Sequence, residues 1–127
     1  MDRRHLITKG AAVFDDIASQ ALRVALSGLA MRQRVTANNI ANIQTPGFQA
    51  GKVQFEGSLQ SALAAGTSPA GVQATVAQSM EPSQLNGNNV NLDEETLSNV
   101  DTGLRYQLAL RAMDGKFGLI GDVIKGG

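Results

Sequence analysis

The stretch T-A-N-N-I-A-N-I-Q-T-P-G-F, residues 36–48, decides the fold, because it ends a long helical pattern and begins a turn. Proline disfavours helix at the residue before it, and glycine accepts a positive φ. Proline at the second position of a turn and glycine at the third are typical of a type II turn. We therefore predict such a turn at Thr45-Pro46-Gly47-Phe48, with a helix before it and a different kind of segment after it.

Upstream of this turn, residues 13–45 are predicted to form one helix, preceded by a flexible N-terminus at residues 1–12. Apolar and small residues recur there at intervals of three and four, and no proline interrupts them. The stripe consists of Phe14, Ile17, Ala21, Ala25 and Gly28, widened by Leu22, Leu29, Thr36 and Ile40.

Downstream, residues 46–90 are predicted to form the turn and a polar central arm. Of the 33 residues from 57 to 89, 26 are Gly, Ala, Ser, Thr, Pro, Gln or Asn, and Glu81 is the only charged one. Val72, Ala74 and Val76 alternate with other residues and predict one short strand, and residues 49–55 alternate loosely enough to form another. Loop, hairpin and disorder stay open for the rest, and we expect an irregular, partly extended arm.

A second helix is predicted at residues 91–125, with Asn91 as its N-cap and Glu94 reaching back as in a capping box. One apolar stripe consists of Leu97, Val100, Leu104 and Leu108. A second stripe consists of Tyr106, Leu110, Met113, Phe117, Ile120 and Ile124. Two stripes indicate a helix that contacts more than one neighbour. The predicted fold is mainly α, a single domain whose terminal helices pair as a coiled-coil-like hairpin, with an irregular or short-β central arm.

Composition argues against several classes of function. Eleven basic and eleven acidic residues balance, so no strong field attracts nucleic acid or an anionic membrane. Cysteine is absent, His5 is the only histidine, and no phosphate loop or zinc spacing is present, so we expect no enzyme activity, metal, cofactor or small-molecule substrate. No run of about 20 apolar residues predicts a membrane span, and Asp15 and Asp16 interrupt any secretory signal.

Four polar or glycine-rich features each allow two interpretations. The acidic run 93–95 is read as a helix start rather than a carboxylate site, and residues 86–89 as a turn rather than a calcium loop. Gly115, Gly118 and Gly121 indicate either a fraying helix end or a close approach of helices. Asn38, Asn39 and Asn42 are either an ordinary helix C-terminus or amides with defined partners.

The segment that contains these asparagines resembles the N-terminal signature shared by flagellar rod and hook proteins. The matching residues are Asn38, Asn39, Ile40, Ala41 and Asn42, then, after two variable positions, Thr45, Pro46, Gly47 and Phe48. Phe48 stands where that family more often has tyrosine. The short length and the run at residues 87–95 are similar to the proximal-rod members, which usually have an aspartate at the position of Asn91.

The resemblance implies a non-enzymatic subunit of the bacterial flagellar basal body, located in the rod within the periplasmic space. It implies export by the flagellar type III apparatus and assembly into a tube that transmits torque. The implied partners are other copies of the chain, other rod proteins, the hook–basal body adaptor and the export gate. Two subunit contacts are expected: the motif (Asn38, Asn39, Ile40, Asn42, Thr45, Pro46, Gly47, Phe48) and a C-terminal seam (Tyr106, Leu110, Met113, Phe117, Ile120). The alternative is a soluble coiled-coil adaptor or chaperone that is not exported.

Overall fold

The computed structural model describes the backbone of residues 3–126 and the side chains of residues 16–115. The elements are α1 (Arg3–Ala41), β1 (Gly51–Gln54), α2 (Glu56–Ala64), a 3₁₀ turn (Pro69–Gly71), β2 (Thr75–Gln78) and α3 (Leu92–Gly126). The predicted class is confirmed: the chain is mainly helical, its terminal helices pack together, and a small antiparallel sheet lies between them.

Helix α1 begins at Arg3 and ends at Ala41, whereas the sequence predicted a flexible residue range 1–12 and a helix over 13–45. The helix starts early because residues 3–13 contain no proline to interrupt it. It ends early because the Asn88 side chain donates to the carbonyl oxygens of Asn42 and Thr45, both at 2.8 Å. Those carbonyls are thereby drawn into a turn and not into further helical hydrogen bonds.

The two long helices run antiparallel. Asn88, just before α3, contacts the end of α1, while Tyr106, further along α3, packs against the cluster around Leu29, further back along α1. This is the hairpin that the sequence predicted, with the central arm lying against one side of α1.

The arm is more ordered than the sequence indicated. Strands β1 and β2 pair antiparallel, with Gly51 opposite Gln78 and Gln54 opposite Thr75. Helix α2 lies between them and was not predicted, because its residues are mostly small and polar. Leu59 of α2 packs against the core, so a tertiary contact stabilises a segment with a weak local signal.

The apolar core is small and lies where β1 crosses α1. Leu29, Val53 and Phe55 form its buried centre. Gly28 makes this packing possible, since a Cβ at that position would overlap the Phe55 ring. The lack of a side chain at Gly28 therefore allows Phe55, and with it the arm, to lie close to α1.

Candidate assembly surface

The turn at residues 45–48 forms as predicted. The Phe48 N–H donates to the Thr45 carbonyl at 3.2 Å, and Gly47 has a φ of +76°. The turn is held by the loop before α3, because the Gly47 N–H donates to the Asn86 carbonyl at 2.8 Å. A Cβ on Gly87 would lie 3.2 Å from the Gly47 Cα, so the two segments meet backbone to backbone.

Asn39 joins the end of α1 to the first strand. Its amide nitrogen donates to the Gly51 carbonyl and its amide oxygen accepts from the Gly51 N–H, both at 3.0 Å. The side chain is 1% exposed. Of the two interpretations of this asparagine, the structure supports an amide with defined partners, and those partners lie in the same chain.

Asn88 and Asn89 continue this network from the other side of the molecule. Beyond its two donations to the end of α1, Asn88 accepts from the Val90 N–H at 2.8 Å. Asn89 accepts from the Ala50 N–H at 2.6 Å and donates to the carbonyls of Ser79 and Glu81, each at 3.3 Å. We call Asn39, Asn88 and Asn89 the asparagine clamp, since together they join α1, the arm and the start of α3.

The sequence did not identify Asn88 and Asn89 as functional, because an Asn-Gly-Asn-Asn run is typical of a turn. Their role depends on which carbonyls lie nearby, and those carbonyls belong to residues far away in the chain. The available signals are the two adjacent amides, two and three residues before the cap Asn91, and the similarity of residues 87–95 to proximal-rod proteins.

The rest of the motif divides into a supporting part and an exposed part. Ile40, Asn42 and Phe48 are half-buried. The Asn42 amide donates to the Asn38 carbonyl at 2.9 Å and accepts from the Thr45 hydroxyl at 3.1 Å. The exposed part, which we call the motif tip, consists of Asn38, Thr45, Pro46 and Gly47. A motif contact with another subunit would use this tip, because the Asn39 amide is buried and bonded to Gly51 of the same chain.

Arg32 fixes the position of the arm on α1. One guanidinium nitrogen donates to the Val53 carbonyl at 2.8 Å and to the Glu56 carboxylate at 2.9 Å. The guanidinium also lies 5.2 Å from the centroid of the Phe55 ring. Burial alone would raise the pKa of Glu56, but the hydrogen bond and charge of Arg32, together with backbone N–H groups, hold that pKa below its ordinary value.

Lys52 ties the first turn of α3 to β1. Its ammonium lies 2.6 Å from a Glu94 oxygen and 3.7 Å from a Glu95 oxygen. Glu94 is therefore directed towards Lys52, and the predicted capping box does not close, although Asn91 does cap the helix by accepting from the Glu94 N–H at 3.2 Å. A hydrogen bond between the Glu81 and Glu94 carboxyl groups raises the pKa of Glu81 and lowers that of Glu94.

The face of α3 that lies against α1 has small or polar residues at its most buried positions. Glu95, Thr102 and Ala109 are buried at intervals of seven residues. Within the described residues, the Thr102 hydroxyl is the buried side-chain group without a hydrogen-bond partner. Of the predicted seam, Tyr106 packs beside the core, Leu110 and Met113 are half-buried, and Phe117 and Ile120 lie outside the described side chains.

The opposite face of α3 carries the other predicted stripe, and it is exposed. The exposed fractions are 71% for Leu97, 58% for Val100, 63% for Leu104 and 64% for Leu108. At about 100° per residue, these positions are centred roughly half a turn away from Glu95, Thr102 and Ala109. We call these four residues the outer stripe, an apolar surface about three helical turns long with no cover from the described part of the chain.

The glycines of α3 and His5, two further candidates from the sequence, do not contribute to the described surface. Gly115 has open space where a Cβ would lie, while Gly118, Gly121 and His5 lie outside the residues with described side chains. In the described part of the chain, no three His, Cys, Asp or Glu side chains are grouped to hold a metal ion. The helices in this part of the chain lack an apolar stretch of the length that a membrane span requires.

Comparison with known proteins finds one family and a consistent set of relatives. Residues 20–49 match the family described as flagella basal body rod protein. The chain is 36% identical over 120 residues to the flagellar basal body rod protein FlgB of Bacillus subtilis (strain 168), covering 85% of this chain and 93% of that protein. It is 31% identical over 132 residues to FlgB of Escherichia coli (strain K12), covering 88% and 96%. It is 28% identical over 121 residues to FlgB of Borreliella burgdorferi, covering 79% and 90%.

Proposed function

We propose, from the premise that this chain belongs to the family of flagellar basal-body rod proteins, that it builds the proximal part of the rod and transmits torque there. As a member of that family it is a structural subunit of the flagellar basal body and assembles with other rod components. We assign it no catalytic role, which accords with a chain that has one histidine and no cysteine.

The observation that carries this function is the outer stripe of α3. Such a row of large exposed apolar side chains marks a contact surface for another protein, because contiguous apolar patches are rare on monomeric soluble proteins. Helix α1 covers one face, and a neighbouring subunit covers the other. Burying the exposed parts of four Leu and Val side chains would contribute about 4–7 kcal/mol.

That contribution is too small to make a tight isolated pair, because association costs an estimated 4–15 kcal/mol. In a tube, however, each subunit contacts several others, and one ordered subunit receives several such contributions at once. The stripe therefore suits a protein that is monomeric in dilute solution and binds tightly once it has several neighbours in an assembly.

Export through the flagellar type III apparatus is part of the proposal, with the export gate and the hook–basal body adaptor as partners before and during assembly. The small core supports it. Among the described residues, the buried apolar side chains are Leu29, Ala50, Val53, Phe55, Val90 and Ala109. A chain with so few buried apolar groups has modest stability, which favours passage through a narrow channel in unfolded form.

The motif tip and the C-terminal seam are proposed as further contacts between subunits. The tip is supported by its exposure and by the asparagine clamp behind it, which holds it in one position. The seam is supported at Leu110 and Met113, which are only half-buried and keep apolar surface for a second neighbour.

The experiment introduces Leu104→Asp in flagellated cells whose only copy of the gene carries the change. Leu104 is exposed in the free subunit, so the variant should fold and be secreted. A carboxylate buried in a subunit contact costs several kcal/mol, so rods should be absent and cells non-motile.

Gln60→Asp, at an exposed position of α2 outside the stripe, is the matched control and should assemble normally. Normal rods in the Leu104→Asp strain would contradict the role of the stripe. Normal motility in cells that lack the gene altogether would contradict the rod function itself.

A further inference from the structure

We propose that the outer stripe of one copy packs into a groove between α1 and the arm of the next copy, an inference that rests on the proposed rod function. This groove, the arm groove, lies between α1 and residues 70–74. In this proposal the arm groove covers the stripe, so the contact between copies is head-to-tail.

The arm groove has the size and lining for apolar side chains. Its volume is about 430 Å³, within the range of about 300–1,000 Å³ typical of sites that enclose ligands. Val24, Met31, Val72 and Ala74 line it, and three of these also pack against the core cluster. The floor of the groove is therefore apolar and held in place by the arm.

The groove and the stripe are separate surfaces of the chain. The groove is lined by α1 and residues 70–74, and none of the α3 residues with described side chains (92–115) lines it. The stripe lies on the side of α3 that is turned away from α1. One copy can thus offer its stripe to one neighbour and its groove to another at the same time. Contacts of this heterologous kind extend into open assemblies, whereas a stripe-to-stripe pair would close as a dimer.

Charge favours the same pairing. Between residues 17 and 41, α1 carries three arginines and no acidic residue, and Arg23 lines the groove. Between residues 92 and 115, α3 carries five acidic and two basic residues. Among the described side chains, neither Arg23 nor Asp93 forms an ion pair, and Asp93 lies on the same side of α3 as the stripe. Opposite charges at the rim orient the approach, and the apolar contact holds it.

A cross-linking experiment tests this arrangement, and the natural absence of cysteine makes it specific. Two chains are co-expressed as the only copies in the cell, one with Ser27→Cys in the groove and one with Leu104→Cys in the stripe. Basal bodies are isolated and oxidised. The expected product is a disulfide-linked dimer that contains one chain of each kind.

A second pair, Gln73→Cys with Leu108→Cys, repeats the test in case one substitution hinders assembly. Gln60→Cys, on exposed α2, replaces the groove cysteine in the control and should yield no mixed dimer. Dimers made of two Leu104→Cys chains would overturn the proposal, since the stripes would then face each other. Incorporation of both chains without mixed dimers would overturn it too.

The two proposals fail in different ways. Absence of the protein from isolated basal bodies, even for the wild-type chain, would refute the rod function. Its presence there with the wrong pattern of cross-links would leave the rod function standing and refute only the stripe-to-groove contact.

Discussion

Replacing Asn88 with alanine should destabilise the whole molecule more than any exposed substitution on the same loop or helix. The side chain is fully buried, at 0% exposure, and makes three hydrogen bonds of 2.8 Å. It joins the end of α1, through Asn42 and Thr45, to the start of α3 at Val90. Its loss therefore separates the two long helices at the point where the hairpin closes.

The magnitude follows from those three bonds. Each contributes about 0.5–1.5 kcal/mol net, and a buried polar group left without a partner costs about 1–3 kcal/mol. The buried Val90 N–H loses its partner, whereas the Asn42 and Thr45 carbonyls each keep one bond, from the Thr45 and Phe48 N–H groups. An entering water will compensate part of the loss. We expect a decrease in the free energy of unfolding of about 3 kcal/mol, a large share of the stability of a small domain.

The assay is urea unfolding of the purified chain, followed by circular dichroism. Asn99→Ala is the matched control, because Asn99 is exposed on α3 and alanine favours the helix there. The control should stay close to wild type. If Asn88→Ala unfolds at the same urea concentration as the control, the asparagine clamp does not hold the hairpin together and the reasoning is wrong.

Three further outcomes test other parts of the structure. Gly47→Val should cost about 1–2 kcal/mol, because a β-branched residue resists the positive φ of Gly47; an unchanged urea midpoint would contradict the turn geometry. Gly28→Ala should destabilise by about 1–3 kcal/mol through overlap with Phe55, despite the better helix propensity of alanine; a more stable variant would show that the ring moves aside. The lowered pKa of Glu56 means that its ionised form stabilises the fold, and this contribution is lost as pH falls below the ordinary value of 4.5. The stability difference between wild type and Glu56→Gln should thus shrink from about pH 7 to about pH 3, and a constant difference would refute the Arg32 pairing.

Local patterns were enough to predict the elements that depend on neighbouring residues. The Thr45-Pro46-Gly47-Phe48 turn follows from proline and glycine at adjacent positions, since backbone sterics alone favour it. Asn91 caps α3 for an equally local reason. Periodicity predicted two long helices, and the alternation around Val76 predicted a strand.

Local patterns could not say which stripe of α3 faces α1. Both stripes are apolar, and the choice depends on the shape of the partner helix. The structure places Glu95, Thr102 and Ala109 inside and leaves Leu97 and Leu104 outside. Thr102 and Ala109 have smaller side chains than leucine and leave room for α1, and the Glu95 carboxylate lies 3.7 Å from the Lys52 ammonium. Packing geometry and this ion pair, and not hydrophobicity, therefore decide the inner face.

The asparagine clamp and helix α2 were likewise decided only by tertiary structure. The amides of Asn39, Asn88 and Asn89 could form hydrogen bonds with many groups. The local sequence does not indicate that Gly51 or Thr45 is a partner. Such bonds form because the folded chain buries backbone groups that must find a partner somewhere. The sequence by itself thus determined the helices and the turn, where the causes lie within a few residues, and long-range burial determined how they are joined.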